Sequence, residues 1–131
     1  MNAHRALLSA CAAFTLATSA LPVLAANNNP VIFVHGFAGF GRSELLGYKY
    51  WGGLTDLQEQ LKTKYSNQLV ATAVVGPFSS NWDRAAELFY QIKGGCVDYG
   101  ALHAAANSHL ERPENTFHNG RTCYPGLYPA W

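Results

Sequence analysis

Two apolar stretches of the chain have the pattern of buried β-strands. After Pro30, the run 31–34 (VIFV) is rich in β-branched residues and contains no polar position. Such a run is typical of a strand that is covered on both faces, as in a parallel sheet. Leu69 to Val75 is a second β-rich run, and Gly76-Pro77 ends it. The pattern therefore predicts two strands of a parallel sheet.

Helical spacing follows each predicted strand. From Thr55 to Tyr65 the apolar residues Leu57, Leu61 and Tyr65 recur every fourth position. With Leu54 three residues before Leu57, this spacing predicts a helix with one apolar face. Ser80, with Asp83 three residues later, resembles a capping box that opens a second helix, and Gly94-Gly95 ends it. We expect its core face to consist of Ala86, Phe89, Tyr90 and Ile92.

The order strand, helix, strand, helix is typical of the beginning of an open α/β sheet with flanking helices. Two strands alone leave unpaired edges and half-covered faces, so we expect an incomplete α/β domain whose sequence stops early. Beyond the second helix, 101–106 predicts a short helix and 111–131 is loop-like, with three prolines.

The first 25 residues differ from the rest. Arg5 precedes an apolar stretch from Ala6 to Leu21, and small residues lead to Ala25, so we expect a signal peptide cleaved near Ala25 and a secreted protein. A membrane anchor is the weaker alternative, because polar residues and Pro22 interrupt the stretch. Lipidation of Cys11 is a further alternative, since the residues before it resemble a lipoprotein box.

Composition narrows the class of protein. The chain is 49% hydrophobic and 13% charged, with 9 Lys+Arg against 8 Asp+Glu, which excludes intrinsic disorder and gives no basic surface for nucleic acid. Residues 26–131 carry no net charge when histidine is neutral, and they are long enough for one small domain at most.

The mature chain retains two cysteines, Cys96 and Cys123. In an oxidising compartment such a pair predicts one disulfide, which would close a segment of 28 residues. Two independent buried thiols are the alternative. We favour the disulfide because it would tie down the loop around Cys123.

The segment 35–39 (HGFAG) directly follows the first strand. In α/β-hydrolases a backbone N–H from such a loop contributes to the oxyanion hole, and His-Gly motifs mark it. We expect Phe37 to offer that amide; a plain turn after a strand is the alternative. The nucleophile motif Gly-x-Ser-x-Gly is absent from the sequence, so we expect the Ser, Asp and His of a triad to lie outside it. The available polar residues are interpreted as loop, cap or surface positions: Ser43, Ser79, Ser80, Asp98 and His118.

Asp83, His103 and His109 are candidate ligands of a tetrahedral zinc that lacks a fourth protein ligand. Spacing alone is a weak argument, because six residues rotate a helix through about 240° and His-x5-His is not a familiar zinc motif. Histidines that satisfy local hydrogen bonds are the alternative, and His118 is a further candidate.

Several segments together resemble the N-terminal part of the zinc-containing secreted bacterial lipases of the thermoalkalophilic type. The matching stretches are 31–39 (VIFVHGFAG), 46–53 (LGYKYWGG), 75–85 (VGPFSSNWDRA), 97–101 (VDYGA) with His103 and His109, and Arg121-Thr122 followed by 124–126 (YPG). The resemblance covers nearly all of 26–131, in order. The two cysteines, and the segment from Glu111 to Asn119, depart from the family pattern.

The resemblance implies an α/β-hydrolase fold and a triacylglycerol lipase with a serine nucleophile. It implies that Phe37 donates an oxyanion-hole amide and that Asp83, His103 and His109 bind a structural zinc, with a fourth ligand beyond Trp131. It places the triad, the lid and any calcium site outside this sequence. We expect a lipid ester as the substrate of the complete protein and no transmembrane anchor. A non-catalytic secreted zinc-binding or interaction module is the alternative.

Overall fold

A computed structural model of the protein describes residues 29–114 and 121–130. The predicted signal peptide, Cys11 and His118 lie outside the described residues. The described elements, in chain order, are β1 (Val31–Val34), α1 (Leu57–Lys64), β2 (Val70–Ala73), α2 (Asn81–Lys93), β3 (Gly95–Cys96), α3 (Ala101–Asn107) and β4 (Cys123–Tyr124). The mixture of strands and helices agrees with the α/β class predicted from the sequence.

Strands β1 and β2 pair in parallel, as predicted, with Val31 opposite Val70 and Val34 opposite Ala73. Strand β2 carries much of the core, since Val70, Ala71 and Ala73 are buried, and Val75 is buried just beyond its end. The four residues of β1 are only half-buried. The core therefore lies between β2 and the helices that follow β1 and β2.

Helix α1 is shorter than predicted. Asp56 caps its first turn by accepting a hydrogen bond from the Glu59 amide, so Leu54 lies before the helix and is almost fully exposed. Leu57 and Leu61 are half-buried, Tyr65 is exposed, and the buried residue of the helix is Gln58. The predicted apolar face is thus only partly correct, because Leu54 precedes the cap and Tyr65 follows the last helical residue, Lys64.

Helix α2 begins after Ser80, whose hydroxyl accepts from the Asp83 amide, and it ends at Gly94 with φ 90°, as predicted. Its predicted core face is wrong at Phe89, which is 55% exposed. The buried positions are instead Glu87 and Gln91. Their side chains bind backbone groups beyond the end of β2, so a polar stripe replaces the apolar one at the centre of this interface.

The C-terminal segment is tied to the end of α2. Strands β3 and β4 form a short antiparallel pair, and the structure joins Cys96 to Cys123 across it. Gly94, just before β3, and Gly126, just after β4, lie very close together. A Cβ on either glycine would come within about 3.0 Å of the backbone around the other. The amides of Leu127 and Tyr128 donate to carbonyls in the last turn of α2. Among the described helices, none has the length and apolarity needed to cross a lipid bilayer.

Candidate functional site

The loop His35–Gly39 holds three consecutive peptide planes in fixed orientations. The carbonyl of His35 accepts from Arg84 Nη2 at 2.5 Å. The carbonyl of Gly36 accepts from His35 Nδ1 at 2.8 Å and from the Gly39 amide at 3.1 Å. The amide of Ala38 donates to the Pro77 carbonyl at 2.9 Å. Because a peptide unit is planar, holding the Gly36 carbonyl also sets the direction of the Phe37 N–H.

The buried imidazole of His35 connects this loop to the end of β2. Its Nδ1 donates to Gly36 O, and its Nε2 accepts from the Val75 amide at 3.3 Å, which defines a neutral ring with the proton on Nδ1. A Cβ at Gly39 would lie 2.6 Å from His35 Nδ1, so only glycine permits this close approach. His35 is therefore a structural residue of the loop.

The backbone amide of Phe37 has no acceptor among residues 29–114 and 121–130. The Phe37 side chain is 76% exposed and packs edge-on against Phe78, with ring centroids 5.4 Å apart. The neighbouring Ala38 has φ 54°, a strained conformation for a residue with a Cβ, and such strain is concentrated at functional sites. The loop thus presents an oriented donor beside an exposed aromatic pair.

Asp83, His103 and His109 converge in space, so that one ligand atom from each lies within 4.8 Å of the others. Asp83 Oδ1 is 2.9 Å from His103 Nε2 and 3.6 Å from His109 Nε2. A tetrahedral zinc with bonds of about 2.0–2.1 Å sets its ligand atoms roughly 3.3 Å apart, so these separations suit such an ion. The arrangement can hold a metal.

The orientation of His109 supports this interpretation. Its Nδ1 donates to the Leu110 carbonyl at 3.0 Å, which leaves the lone pair of Nε2 facing the cluster. That Nε2 is buried and has no hydrogen-bond partner within the described part of the chain. An imidazole whose other nitrogen is held by a carbonyl is the usual arrangement of a metal-binding histidine. A buried, unpaired nitrogen is costly unless a ligand occupies it.

Neighbouring residues hold the three candidate ligands in place. Trp82 stacks on the His103 ring at 5.1 Å, and its indole N–H donates to the Tyr99 carbonyl. The Tyr99 ring packs edge-on against His109. Burial, together with the nearby Glu87 carboxylate, raises the pKa of Tyr99, so its hydroxyl stays protonated and donates to Glu87 at 2.9 Å. Hydrogen bonds and ring contacts therefore connect the surroundings of the cluster to α2.

Helix α2 connects the cluster to the loop after β1. Asp83 lies in its first turn, with Oδ2 accepting from Ser80 Oγ at 2.8 Å and Oδ1 directed at the histidines. The next residue, Arg84, reaches the His35 carbonyl. Glu87, one turn later, accepts from the Gly76 amide at 2.6 Å. The N-terminal half of α2 therefore contacts both the metal cluster and the loop after β1.

The sequence singles out Asp83, His103 and His109, which the structure brings together, but it does not single out the residues that support this cluster and the loop after β1. Arg84 is an example, and a signal for it exists: a cation in the first turn opposes the helix dipole, which indicates a tertiary partner. No sequence signal identifies Trp82 or Pro77 as supports. Ser80 is a helix cap, as predicted. Asp98 lies in the loop before α3, where it is half-buried and accepts from the Gly100 amide and from Arg112.

Comparison with known proteins identifies the family to which the chain belongs. The family profile described as "Lipase-like, C-terminal domain" matches residues 27–131. The chain is 46% identical to Lipase 2 of Staphylococcus aureus over 109 residues, which is 80% of this chain and 14% of that protein. It is 44% identical to a lipase of Staphylococcus epidermidis over 113 residues, again 80% of this chain and 14% of that protein.

Solved structures give the same result. EstA from Clostridium botulinum matches with 53% identity and a TM-score of 0.67, covering 79% of this chain and 22% of that chain. Lipase 1 from Pelosinus fermentans matches with 50% identity and a TM-score of 0.68, covering 80% and 25%. The Staphylococcus hyicus lipase matches with 36% identity and a TM-score of 0.67, covering 81% and 25%.

The chain therefore belongs to the lipase-like family that this profile describes, and its described fold is shared with bacterial lipases. It spans about a seventh of the length of these curated relatives and about a quarter of the solved chains.

Proposed function

We propose that residues 26–131 are part of the α/β-hydrolase domain of a secreted lipase, which hydrolyses carboxylic esters of lipids such as triacylglycerols. Family membership and the names of the relatives support this proposal. The sequence contains no Gly-x-Ser-x-Gly, so the nucleophilic serine and its acid and histidine partners belong to other polypeptide of the same enzyme. Among the described residues, strand β1 pairs with β2 alone, so its other edge has no strand partner there.

In this proposal the Phe37 amide is one donor of the oxyanion hole. The observation that carries the proposal is that this N–H has a fixed direction and no acceptor within the described residues. When the serine attacks the ester carbonyl, negative charge develops on the carbonyl oxygen, and a preoriented amide stabilises it. The exposed Phe37 and Phe78 rings offer an apolar surface beside the reacting ester.

The metal of the Asp83–His103–His109 cluster is zinc in this proposal. Two imidazoles and one carboxylate suit zinc, whereas calcium takes six to eight oxygen ligands. Bound zinc supplies a structural cross-link, and the fourth ligand comes from outside this sequence. The role of Asp83 is to hold α2 against the segment that carries the two histidines, which keeps Arg84 in position under the His35 carbonyl. Any calcium site of the complete enzyme lies elsewhere.

The test removes the Phe37 amide from the complete enzyme, in which this chain is continuous with the nucleophile region. Phe37→Pro lacks the N–H, whereas Phe37→Ala keeps it and loses only the ring. We expect kcat of Phe37→Pro to fall by about 100- to 1,000-fold, and kcat of Phe37→Ala to stay within about tenfold of the wild type. Thermal unfolding of both variants checks that the fold is retained.

Equal kcat values for the proline and alanine variants, with both folded, would contradict the role of the amide. The isolated 131-residue chain is expected to show only background hydrolysis of a short-chain chromogenic ester. If the isolated chain has an activity that a serine-directed phosphonate inhibits, the nucleophile lies within it and the proposal is wrong.

A further inference from the structure

The segment between Cys96 and Cys123 contains both imidazoles of the metal cluster, whereas the carboxylate comes from α2 outside it. The disulfide lies beside the C-terminal end of α2, since β3 follows Gly94 directly. Asp83 lies near the N-terminal end of the same helix. The disulfide and a metal would therefore attach one segment to the two ends of one helix.

A ladder of contacts leads from the disulfide towards the histidines. The buried Val97 donates its amide to Thr122 O at 2.9 Å. Asp98 accepts from Arg112 Nε at 3.0 Å. The Tyr99 amide then donates to the Glu111 carbonyl at 2.9 Å. Helix α3 and both histidines lie in the chain between Tyr99 and Glu111, so the disulfide closes the opposite end of this ladder of contacts, which we call the stalk.

We propose that the Cys96–Cys123 disulfide is a positioning element of the metal site, so that zinc affinity depends on the redox state of this pair. The inference rests on the zinc site of the proposed function. In the metal-free chain the disulfide removes open conformations of the segment, so less ordering remains for zinc to impose. Reduction by a dithiol splits the S–S bond into two thiols while the dithiol becomes a disulfide, and this end of the stalk is released.

The coupling is reciprocal by thermodynamic necessity. If the disulfide strengthens zinc binding by some factor, bound zinc makes the disulfide harder to reduce by the same factor. Coupling free energies between linked sites correspond to changes of about 5- to 150-fold, and we expect about tenfold here. Both cysteines are exposed in the described structure, so a soluble reductant reaches them.

The first experiment measures zinc affinity by competition with a chromogenic chelator. All proteins carry Cys11→Ser, which removes the remaining thiol, and the oxidised chain is compared with the double variant Cys96→Ser/Cys123→Ser. Serine cannot supply a thiolate, so added zinc–sulfur bonds do not mask the effect. We expect the Kd for zinc to be about tenfold higher in the double variant.

The second experiment does not depend on whether the serine variant folds. The oxidised chain is brought to equilibrium in a buffer of reduced and oxidised glutathione, with and without zinc, and the reduced fraction of the Cys96–Cys123 pair is measured. Zinc is expected to protect the wild type and to give no protection to Asp83→Ala, which lacks the carboxylate ligand. Equal zinc affinities in the first experiment, or no protection in the second, would overturn the coupling while leaving the zinc site intact. Absence of zinc binding to the oxidised chain would overturn both the zinc site and this inference.

Discussion

At the scale of single residues, two histidines with the same tautomer have different surroundings. His35 and His109 each donate from Nδ1 to the carbonyl of the following residue. The Nε2 of His35 accepts from the Val75 amide, so this ring is satisfied within the fold. The Nε2 of His109 has no such partner among the described residues and faces Asp83. The partner of Nε2 therefore distinguishes the two histidines: a backbone amide makes His35 structural, whereas the absence of a hydrogen bond within the described part of the chain makes His109 a candidate ligand.

The sequence could not make this distinction. Both histidines occur in segments that match the lipase pattern, and the spacing of His103 and His109 indicates nothing specific about metal. Residue type and spacing make Asp83, His103 and His109 only weak candidates, and the resemblance strengthens them. Their convergence depends on a turn after α3, where Ser108 adopts φ 57°. A left-handed residue at this point reverses the chain and brings His109 back towards His103.

The ionised carboxylate of Asp98, which lies in the stalk, is expected to make the stability of the folded chain depend on pH in the acidic range. Hydrogen bonds from the Gly100 amide and from Arg112 lower the pKa of Asp98 below its ordinary value of 3.8. The ionised form therefore stabilises the folded chain above that value, and this contribution is lost as the pH falls through the lower, folded-state pKa. We expect Asp98→Asn to be less stable than the wild type at pH 7, and the difference to shrink below pH 3.8.

Urea unfolding of both proteins at pH 7 and near pH 3 measures this difference. Glu114→Gln is the control, because it removes an exposed carboxylate from the same region. A difference between Asp98→Asn and the wild type that stays constant across this pH range would show that the Asp98 charge is not responsible.

At the scale of elements, the boundaries of α2 could be predicted and its buried face could not. The Ser80 cap and the glycines after Lys93 are local signals, so they are readable in the sequence. The face depends on what α2 packs against, and here that is the backbone beyond the end of β2. Gln91 both accepts from the Val74 amide and donates to its carbonyl, as a neighbouring strand would. Periodicity of apolar residues cannot detect a polar side chain used in this way.

Substitutions in α2 test whether its buried face is the polar one seen in the structure or the apolar one predicted from the sequence. Gln91→Leu leaves the amide and carbonyl of the half-buried Val74 without partners, and a fully buried group of this kind costs about 1–3 kcal/mol. We expect the free energy of unfolding to fall by about 2 kcal/mol or more. Phe89→Ala changes a residue that is 55% exposed, so we expect a loss below about 1 kcal/mol.

Chemical denaturation of the two variants provides the comparison. A larger loss for Phe89→Ala than for Gln91→Leu would mean that the apolar face expected from the sequence is the buried one after all.

At the scale of the whole molecule, α2 is the element on which the other features converge. Its first turn carries Asp83 to the metal cluster and Arg84 to the loop after β1, and its last turn holds the C-terminal segment through Leu127 and Tyr128. The order of the elements and the parallel pairing of β1 with β2 could be predicted from the sequence. The convergence could not, because it depends on side chains that join segments far apart in the chain.

X-ray absorption at the zinc edge, on the 131-residue chain loaded with less than one equivalent of zinc, tests the proposed metal centre most directly. We predict a first shell of nitrogen and oxygen at about 2.0–2.1 Å with the outer-shell signal of two imidazoles, and we predict that His109→Ala loses one of them. A zinc–sulfur distance near 2.3 Å, or a spectrum of hydrated zinc without imidazole, would contradict the assignment of Asp83, His103 and His109.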